Sequence, residues 1–152
     1  MKARTLKLLL VTTAFAFTLA ACSSDEAAGG HGTPVSVKLF DTETNAELQP
    51  LELTANATTR VTVHFYDADG DDISQGLIDT GHATSLTFAS VAFATSANVT
   101  GEVFQRDVTV FADPAETSTV TVGYGHDVDA DELAFGPYPV TAVEGAPVVR
   151  RP

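Results

Sequence analysis

The sequence predicts an all-β domain, an antiparallel β-sandwich that occupies residues 34–143. From Pro34 onward, apolar and polar residues alternate over short runs, which places the apolar side chains on one face of a half-buried strand. Valine and threonine dominate these runs, and their branched Cβ atoms suit a pleated surface. No stretch after Pro34 keeps an apolar stripe at helical spacing through three turns. About 110 residues are enough for one domain with a buried core.

Five alternating runs predict five strands, and each run assigns its residues to an inner or an outer face. In RVTVHFY, Val61, Val63 and Phe65 fall on the inner face, whereas Thr62 and His64 fall on the outer one. Segments rich in Asp, Asn, Pro and Gly separate the runs and predict turns. The inner-face residues of the other four runs are Val35, Val37 and Leu39; Leu86 and Phe88; Val108 and Val110; and Val120, Val122 and Tyr124.

The first 22 residues resemble the signal sequence of a bacterial lipoprotein. Three positive charges precede an uncharged apolar run from Leu8, which is too short for a comfortable transmembrane helix. The run ends in Leu19-Ala20-Ala21-Cys22, which is similar to the lipobox of that class, with leucine three residues before the modified cysteine. The resemblance implies that residues 1–21 are removed, that the Cys22 thiol carries a lipid, and that the new amino terminus is acylated. An ordinary secretory signal cut near Ala20 is the alternative.

If Cys22 carries a lipid, the membrane is a partner of the protein. The expected location is then the bacterial cell envelope. Two or more acyl chains hold a protein firmly to a bilayer without spanning it. In lipoproteins, a serine such as Ser23 after the cysteine favours the outer membrane of a two-membrane cell. Cys22 is the only cysteine, so no internal disulfide is expected. Residues 22–33 predict a flexible tether, and residues 144–152 predict a disordered tail.

The charge of the chain argues against one class of partner. Removal of residues 1–21 leaves five basic and twenty acidic residues, a formal charge of −15. The phosphate backbone of a nucleic acid would repel so acidic a chain, so nucleic acid is not an expected partner. Non-specific attraction to anionic lipid is not expected either. The same charge favours solubility and the binding of cations.

Two stretches resemble bacterial immunoglobulin-like domains, the kind repeated in invasin and intimin. TTRVTVHFYDADGDDI is similar to their second strand and the turn that follows it, with matches at Asp67, Gly70 and Ile73 and with Asp72 at the usual proline. The later matches are Val91, Ala92, Gly101, Val103 and the run from Thr117 to Val122. The resemblance implies an immunoglobulin-like β-sandwich and carries no catalytic residues.

The aspartates of DADGDD admit two interpretations, a tight turn or part of a calcium site. Their spacing does not fit an EF-hand loop, which needs glycine at position 6 and glutamate at position 12. It predicts a type I turn in which Asp67 is the first residue and Gly70 the fourth.

The same aspartates can still contribute to a cation site if two loops meet. An immunoglobulin-like fold brings this connection to the same end of the sandwich as the later segment GHDVDADEL. The two loops together predict a loose site for Ca²⁺ or a similar divalent cation, and a solvated acidic end is the alternative. The candidate ligands are Asp67, Asp69, Asp71, Asp127, Asp129 and Asp131.

The sequence predicts a protein that is not an enzyme and that has no cofactor other than a weakly bound divalent cation. It contains no Gly-x-Ser-x-Gly elbow, no His-Glu-x-x-His and no phosphate-binding glycine loop, and its four histidines show no short metal-ligand spacing. Two functions remain open. One is a lipid-anchored structural or interaction module that binds a protein or a glycan. The other is an accessory lipoprotein that holds divalent cations at the envelope.

Overall fold

The computed structural model describes residues 32–126 and 132–145. Cys22, nearly all of the predicted signal peptide and tether, and the tail from residue 146 onward lie outside the described residues. Within the described residues the chain forms eight strands and one short helix, so the predicted all-β class is confirmed. In chain order these are β1 (Ser36–Asp41), β2 (Glu52–Thr54), β3 (Thr58–Tyr66), α1 (Ser74–Asp79), β4 (His82–Phe88), β5 (Ala94–Val99), β6 (Glu102–Val110), β7 (Thr117–His126) and β8 (Leu133–Val143).

The strands form two four-stranded sheets. Sheet A has the order β1-β3-β6-β5, and all of its neighbouring strands are antiparallel. Sheet B has the order β2-β8-β7-β4. Its pairs β4–β7 and β7–β8 are antiparallel, but β2 runs parallel to β8. The antiparallel prediction is therefore correct for every pair except β2–β8, where the chain leaves sheet A after β1 and joins the edge of sheet B.

The core lies between the inner faces of the two sheets. Val61, Val63 and Phe65 of β3 are each at most 1% exposed, which confirms the predicted inner face of this strand. The inner residues predicted for β4, β6 and β7 are buried as well. The predicted inner position of Val35 is wrong, because this residue precedes β1 and is 55% exposed. Val37, the next predicted inner residue, is half-buried.

One end of the molecule, which we call the N-terminal pole, is where the described chain begins. At this end β3 and β7 terminate close together, and the rings of Phe65 and Tyr124 lie 5.2 Å apart. The residues that precede β1 run beside the end of β3: the Val35 amide donates to the Tyr66 carbonyl at 2.9 Å. A Cβ added at Gly32 would lie 3.2 Å from the Asp67 Cβ. Strands β4 and β8 also begin at this pole, because they pair with the end of β7.

The helix α1 links β3 to β4 at the N-terminal pole. Leu77 is fully buried and attaches the helix to the core. The buried Ser74 Oγ accepts a hydrogen bond from the Phe65 amide at 2.8 Å, which joins the start of α1 to β3. No helix in the described part of the chain is long and apolar enough to cross a bilayer.

One inner-face position of β6 holds a cation. Arg106 is only 3% exposed and lies between Phe104 and Val108 along the strand. Its Nη1 donates to the Gln105 carbonyl at 3.1 Å, the one hydrogen bond that its guanidinium makes within the described residues. No carboxylate of residues 32–126 and 132–145 pairs with it. Burial lowers the pKa of Arg106, because its charged form has left water for the interior.

Candidate metal centre

The aspartates after β3 form the tight turn that the spacing predicts. The Gly70 amide donates to the Asp67 carbonyl at 3.2 Å, and Gly70 adopts a φ of 86°, which favours glycine. Asp67 Oδ1 accepts hydrogen bonds from the amides of Asp69 and Asp71, both at 3.0 Å. This is the local side-chain to backbone bonding that stabilises Asx turns. One carboxylate oxygen of Asp67 is therefore already used to hold the turn.

The predicted calcium site needs both acidic loops, and only one of them is described. Asp67, Asp69 and Asp71 do not by themselves belong to any group of three potential ligands in residues 32–126 and 132–145. Their predicted partners Asp127, Asp129 and Asp131 lie outside the described residues. The site across the two loops stays a prediction.

A different group of potential ligands does come together at the N-terminal pole. One ligand atom from each of His82, His126 and Glu132 lies within 4.8 Å of the others, and this is the only such group in the described residues. His82 begins β4 and His126 ends β7, and the two residues are directly opposite each other in the antiparallel ladder. Their rings lie 3.9 Å apart between centroids, at an interplanar angle of 41°.

His82 is held from several directions. It is 4% exposed, and its ring stacks on that of Tyr124 at 4.7 Å with an interplanar angle of 8°. Its Nδ1 lies 3.3 Å from the Leu77 carbonyl oxygen and 2.9 Å from Thr80 Oγ1. Burial raises the pKa of Tyr124 to about 12, so the stacked phenol stays neutral near pH 7. Helix α1 and strand β7 together fix the position of the imidazole.

His126 and Glu132 are the exposed members of the group. Their side chains are 58% and 43% exposed, and His126 Nδ1 contacts Glu132 Oε1. The same carboxylate oxygen accepts the His126 amide at 3.2 Å, and the Glu132 amide donates to the Tyr124 carbonyl at 2.9 Å. The hydrogen bond from the His126 side chain holds the pKa of Glu132 below its ordinary value, so this group is a carboxylate near pH 7. Two imidazoles and a carboxylate are a ligand set that Zn²⁺ and related ions bind.

A second pair of histidine and carboxylate lies on the outer face of sheet A. His64 Nδ1 is 2.6 Å from Asp72 Oδ2, while Asp72 Oδ1 accepts the Ser74 amide at 2.9 Å. Within the described residues no third potential ligand joins this pair. The pair therefore ties the end of β3 to the start of α1, and it offers a natural comparison for the three-residue group.

The pH dependence of stability provides a test of the Asp72 contacts. Burial alone would raise the pKa of Asp72, but hydrogen bonds from Ser74 and His64 outweigh burial and lower it. A depressed folded pKa gives stability that is present above the unfolded value near pH 4 and is lost as pH falls through the folded value. We expect Asp72→Asn to lower the melting temperature at pH 7, by an amount corresponding to less than about 1 kcal/mol, because solvent screens the partly exposed carboxylate. The difference from the unmodified protein should shrink below pH ~4.

Thermal melts of both proteins between pH 3 and pH 7 measure this difference. Asp69→Asn is a suitable control, because the Asp69 side chain makes no hydrogen bond or ion pair with the described residues. A difference for Asp72→Asn that stayed constant down to pH 3 would contradict the assigned contacts.

The residues of this group belong to the two connections that the sequence predicts to meet, but they are not among its predicted ligands, because the signal that joins them is not local. His82 and His126 are separated by the whole of β5 and β6. Only the register of β4 against β7, which sets His82 opposite His126, brings the two imidazoles together. Comparisons with protein-family models, curated proteins and solved structures find no match to this chain.

Proposed function

We propose that this protein is a lipid-anchored component of the bacterial cell envelope that displays a non-enzymatic immunoglobulin-like module. The lipid is carried by Cys22, and the outer membrane is the proposed location. The order of the strands in the two sheets is the observation that carries the proposal for the module. The lipobox-like Leu19-Ala20-Ala21-Cys22 carries the proposal for the anchor.

The strand order agrees with that of a constant-type immunoglobulin domain. Such a domain places strands A, B, E and D in one sheet and strands C, F and G in the other. If β1, β3, β4, β5, β6, β7 and β8 are lettered A to G in chain order, sheet A reads A-B-E-D and sheet B contains C-F-G. Strand β2 is then an additional short strand at the free edge of G. The chain crosses between the sheets after β3, after β4 and again after β6, as this topology requires.

The core supports the same assignment without the disulfide of antibody domains. In those domains a disulfide joins strands B and F. Here the equivalent strands β3 and β7 are joined by an edge-to-face contact between Phe65 and Tyr124, with ring centroids 5.2 Å apart. Such a contact contributes about 0.5–1.5 kcal/mol beyond the burial of area. A chain with a single cysteine can thus connect its two sheets through aromatic packing.

The position of the N-terminal pole suits a displayed module. A chain tethered through residues 22–33 would leave the domain beside Asp67, so the opposite end of the sandwich would face away from the membrane. At that opposite end Val91 is 77% exposed and Phe111 is 52% exposed. The two connections that carry them are joined by a hydrogen bond of 2.9 Å from the Phe111 amide to the Phe93 carbonyl. These side chains are available to a protein or glycan partner.

The anchor is tested by substitution at the cysteine. We expect Cys22→Ser to abolish labelling by a radioactive fatty acid and to prevent attachment through acyl chains, because no thiol remains to be modified. The readouts are fluorography of the labelled protein and its distribution between membrane and soluble fractions. Ser23→Asp is the matched control: it should keep the label and move the protein from the outer to the inner membrane of a two-membrane cell. Unchanged labelling of Cys22→Ser would overturn the proposal.

The group formed by His82, His126 and Glu132 favours a second candidate function. The protein would then be an accessory lipoprotein that binds divalent cations at the envelope. The formal charge of −15 proposed for the processed chain would raise the local concentration of cations around such a site. The two candidates are compatible, because the cation-binding residues lie at one pole and leave the opposite pole to a partner.

A further inference from the structure

We infer that His82, His126 and Glu132 form a site for a divalent transition-metal ion, Zn²⁺ or its competitors Cu²⁺ and Ni²⁺, and not for Ca²⁺. The inference rests on the second candidate function, cation binding at the N-terminal pole, and it names the ion class and the ligands. One ligand atom of each residue already lies within 4.8 Å of the other two. A metal ion at bonding distance of about 2.0–2.2 Å from each atom needs a modest rearrangement of this group, in which the more distant atoms approach and the hydrogen-bonded His126 Nδ1 and Glu132 Oε1 move apart.

The two imidazoles are positioned by strands and not by loops. His82 and His126 are opposite residues at the end of the β4–β7 ladder, whose seven residue pairs run without a register shift. Opposite residues in an antiparallel pair have Cβ atoms about 4.5–5.5 Å apart and point to the same face of the sheet. The rings of His82 and His126 are therefore held on the same face of sheet B. Sites built on strands keep their geometry better than sites built on loops.

The contacts of His82 fix which nitrogen can bind a metal. The Leu77 carbonyl can only accept, so the Nδ1 of His82 must carry the proton of this hydrogen bond. The contact with Thr80 is consistent with this assignment. The Thr80 hydroxyl donates its one hydrogen to the carbonyl of Leu77 or Gly76. Its oxygen can then accept the hydrogen bond from His82 Nδ1. The lone pair of the ring is then on Nε2. Histidines that bind metals commonly donate the other ring N–H to a backbone carbonyl in this way.

The remaining two ligands can adjust to an ion. His126 and Glu132 are largely exposed, and they already approach each other through Nδ1 and Oε1. An ion that takes the place of the proton between these two atoms is bound by both, with His82 as the third ligand. Their exposure leaves the fourth position of a tetrahedral ion open to water. One rigid ligand and two adjustable ligands make a site that is ordered before binding and is still able to close on the ion.

The chemistry of the three ligands selects the ion. Imidazole nitrogen suits Zn²⁺, Cu²⁺ and Ni²⁺, whereas Ca²⁺ takes six to eight oxygen ligands. Two of the three ligand atoms here are nitrogens, and Glu132 supplies at most two oxygens. The aspartates predicted from the sequence to bind Ca²⁺ supply only oxygen ligands. A site built from them would therefore prefer a different ion from the group of His82, His126 and Glu132.

Isothermal titration calorimetry with ZnCl₂ and with CaCl₂ tests the inference on the purified full-length chain. Treatment with iodoacetamide beforehand blocks any unmodified Cys22 thiol, which would otherwise bind zinc. We expect one Zn²⁺ per chain at this site and a dissociation constant that rises about 10- to 100-fold in both His126→Ala and Glu132→Gln. The two substituted side chains are exposed, so both variants should fold.

His64→Ala is the matched control, because His64 also pairs with a carboxylate but has no third potential ligand beside it in the described part of the chain. Its affinity for Zn²⁺ should equal that of the unmodified protein. Electron paramagnetic resonance with Cu²⁺ gives an independent readout: hyperfine coupling to two imidazole nitrogens is expected, reduced to one in His126→Ala.

Each other outcome overturns a different claim. Zinc binding that is unaffected by both His126→Ala and Glu132→Gln would overturn the assignment of the ligands. Binding of Ca²⁺ without Zn²⁺ would overturn the ion class and leave cation binding as a function of the protein. Binding of neither ion would overturn both the inference and the second candidate function.

Discussion

Val63→Asp is expected to abolish the cooperative unfolding transition of this protein. Val63 is 1% exposed on the inner face of β3, a strand that pairs with both β1 and β6. The substitution loses about 1.5–3 kcal/mol of apolar burial. It also takes a carboxyl group out of water into the core, which costs roughly 2–7 kcal/mol more where no hydrogen bond compensates for it. The total is comparable with the whole stability of a small domain, about 5–15 kcal/mol.

The neighbouring position provides the control for Val63→Asp. Thr62 is on the outer face and shares a hydrogen bond of 2.7 Å with Thr42, so Thr62→Asp should cost only about 1 kcal/mol. Val63→Thr keeps the shape of valine and replaces one methyl group with a hydroxyl, so its stability should fall between the two. Circular dichroism melts measure all three variants. If Thr62→Asp were more damaging than Val63→Asp, the assignment of the inner face of β3 would be wrong.

Arg106→Met is expected to have the opposite effect and to stabilise the protein. The guanidinium is buried at 3% exposure and makes one hydrogen bond within the described residues, although it has five N–H donors. Methionine preserves most of the packing volume and removes the charge. Replacement of buried charges by apolar residues of similar volume can stabilise a protein by about 1–4 kcal/mol. The urea concentration at the unfolding midpoint should rise with no change in the slope of the transition.

Arg60→Met is the matched control for Arg106→Met. Arg60 is on the outer face of sheet A and forms a two-point ion pair with Asp107, at 2.7 and 3.0 Å. Because this pair is exposed to solvent, its loss should lower stability only slightly. A loss of stability in Arg106→Met greater than that in Arg60→Met would mean that the buried guanidinium stabilises the fold, contrary to this account.

The alternating pattern predicts the inner strands well because it is a local property. A residue on β3 or β7 faces the core according to its parity along the strand, and the sequence contains that parity. The aspartate turn is equally local, since Asp67 bonds to the amides that follow it within four residues. The inner faces of the strands and the aspartate turn can therefore be predicted without knowing which strands become neighbours.

Three strands could not be predicted in this way. Strand β2 has three residues, too few for a pattern. Strand β5 lies at the edge of sheet A, and most of its side chains are not buried, so no apolar alternation is required. Strand β8 contains Pro137 and Pro139, which normally argue against a central strand. It accepts them because β2 covers only the segment from Thr141 to Val143, which leaves the prolines at a sheet edge.

The candidate metal site could not be predicted either, because it depends on which strands become neighbours. Two of its ligands lie on strands that are far apart in sequence, and the sequence does not encode the register that sets His82 opposite His126 in any local pattern. Asp67, Asp69 and Asp71 lie at the same pole as this group, but the sequence pattern favours oxygen ligands over the imidazoles.

The proposed immunoglobulin-like arrangement is tested most directly by the partners of β4 and β5. These strands are consecutive in the chain, yet β4 pairs with β7 in sheet B and β5 pairs with β6 in sheet A. Cross-strand nuclear Overhauser effects in the isotope-labelled protein report these neighbours in solution. We expect contacts between Ser85 and Gly123 and between Thr95 and Thr109. Contacts that join β4 directly to β5 as a hairpin would contradict it.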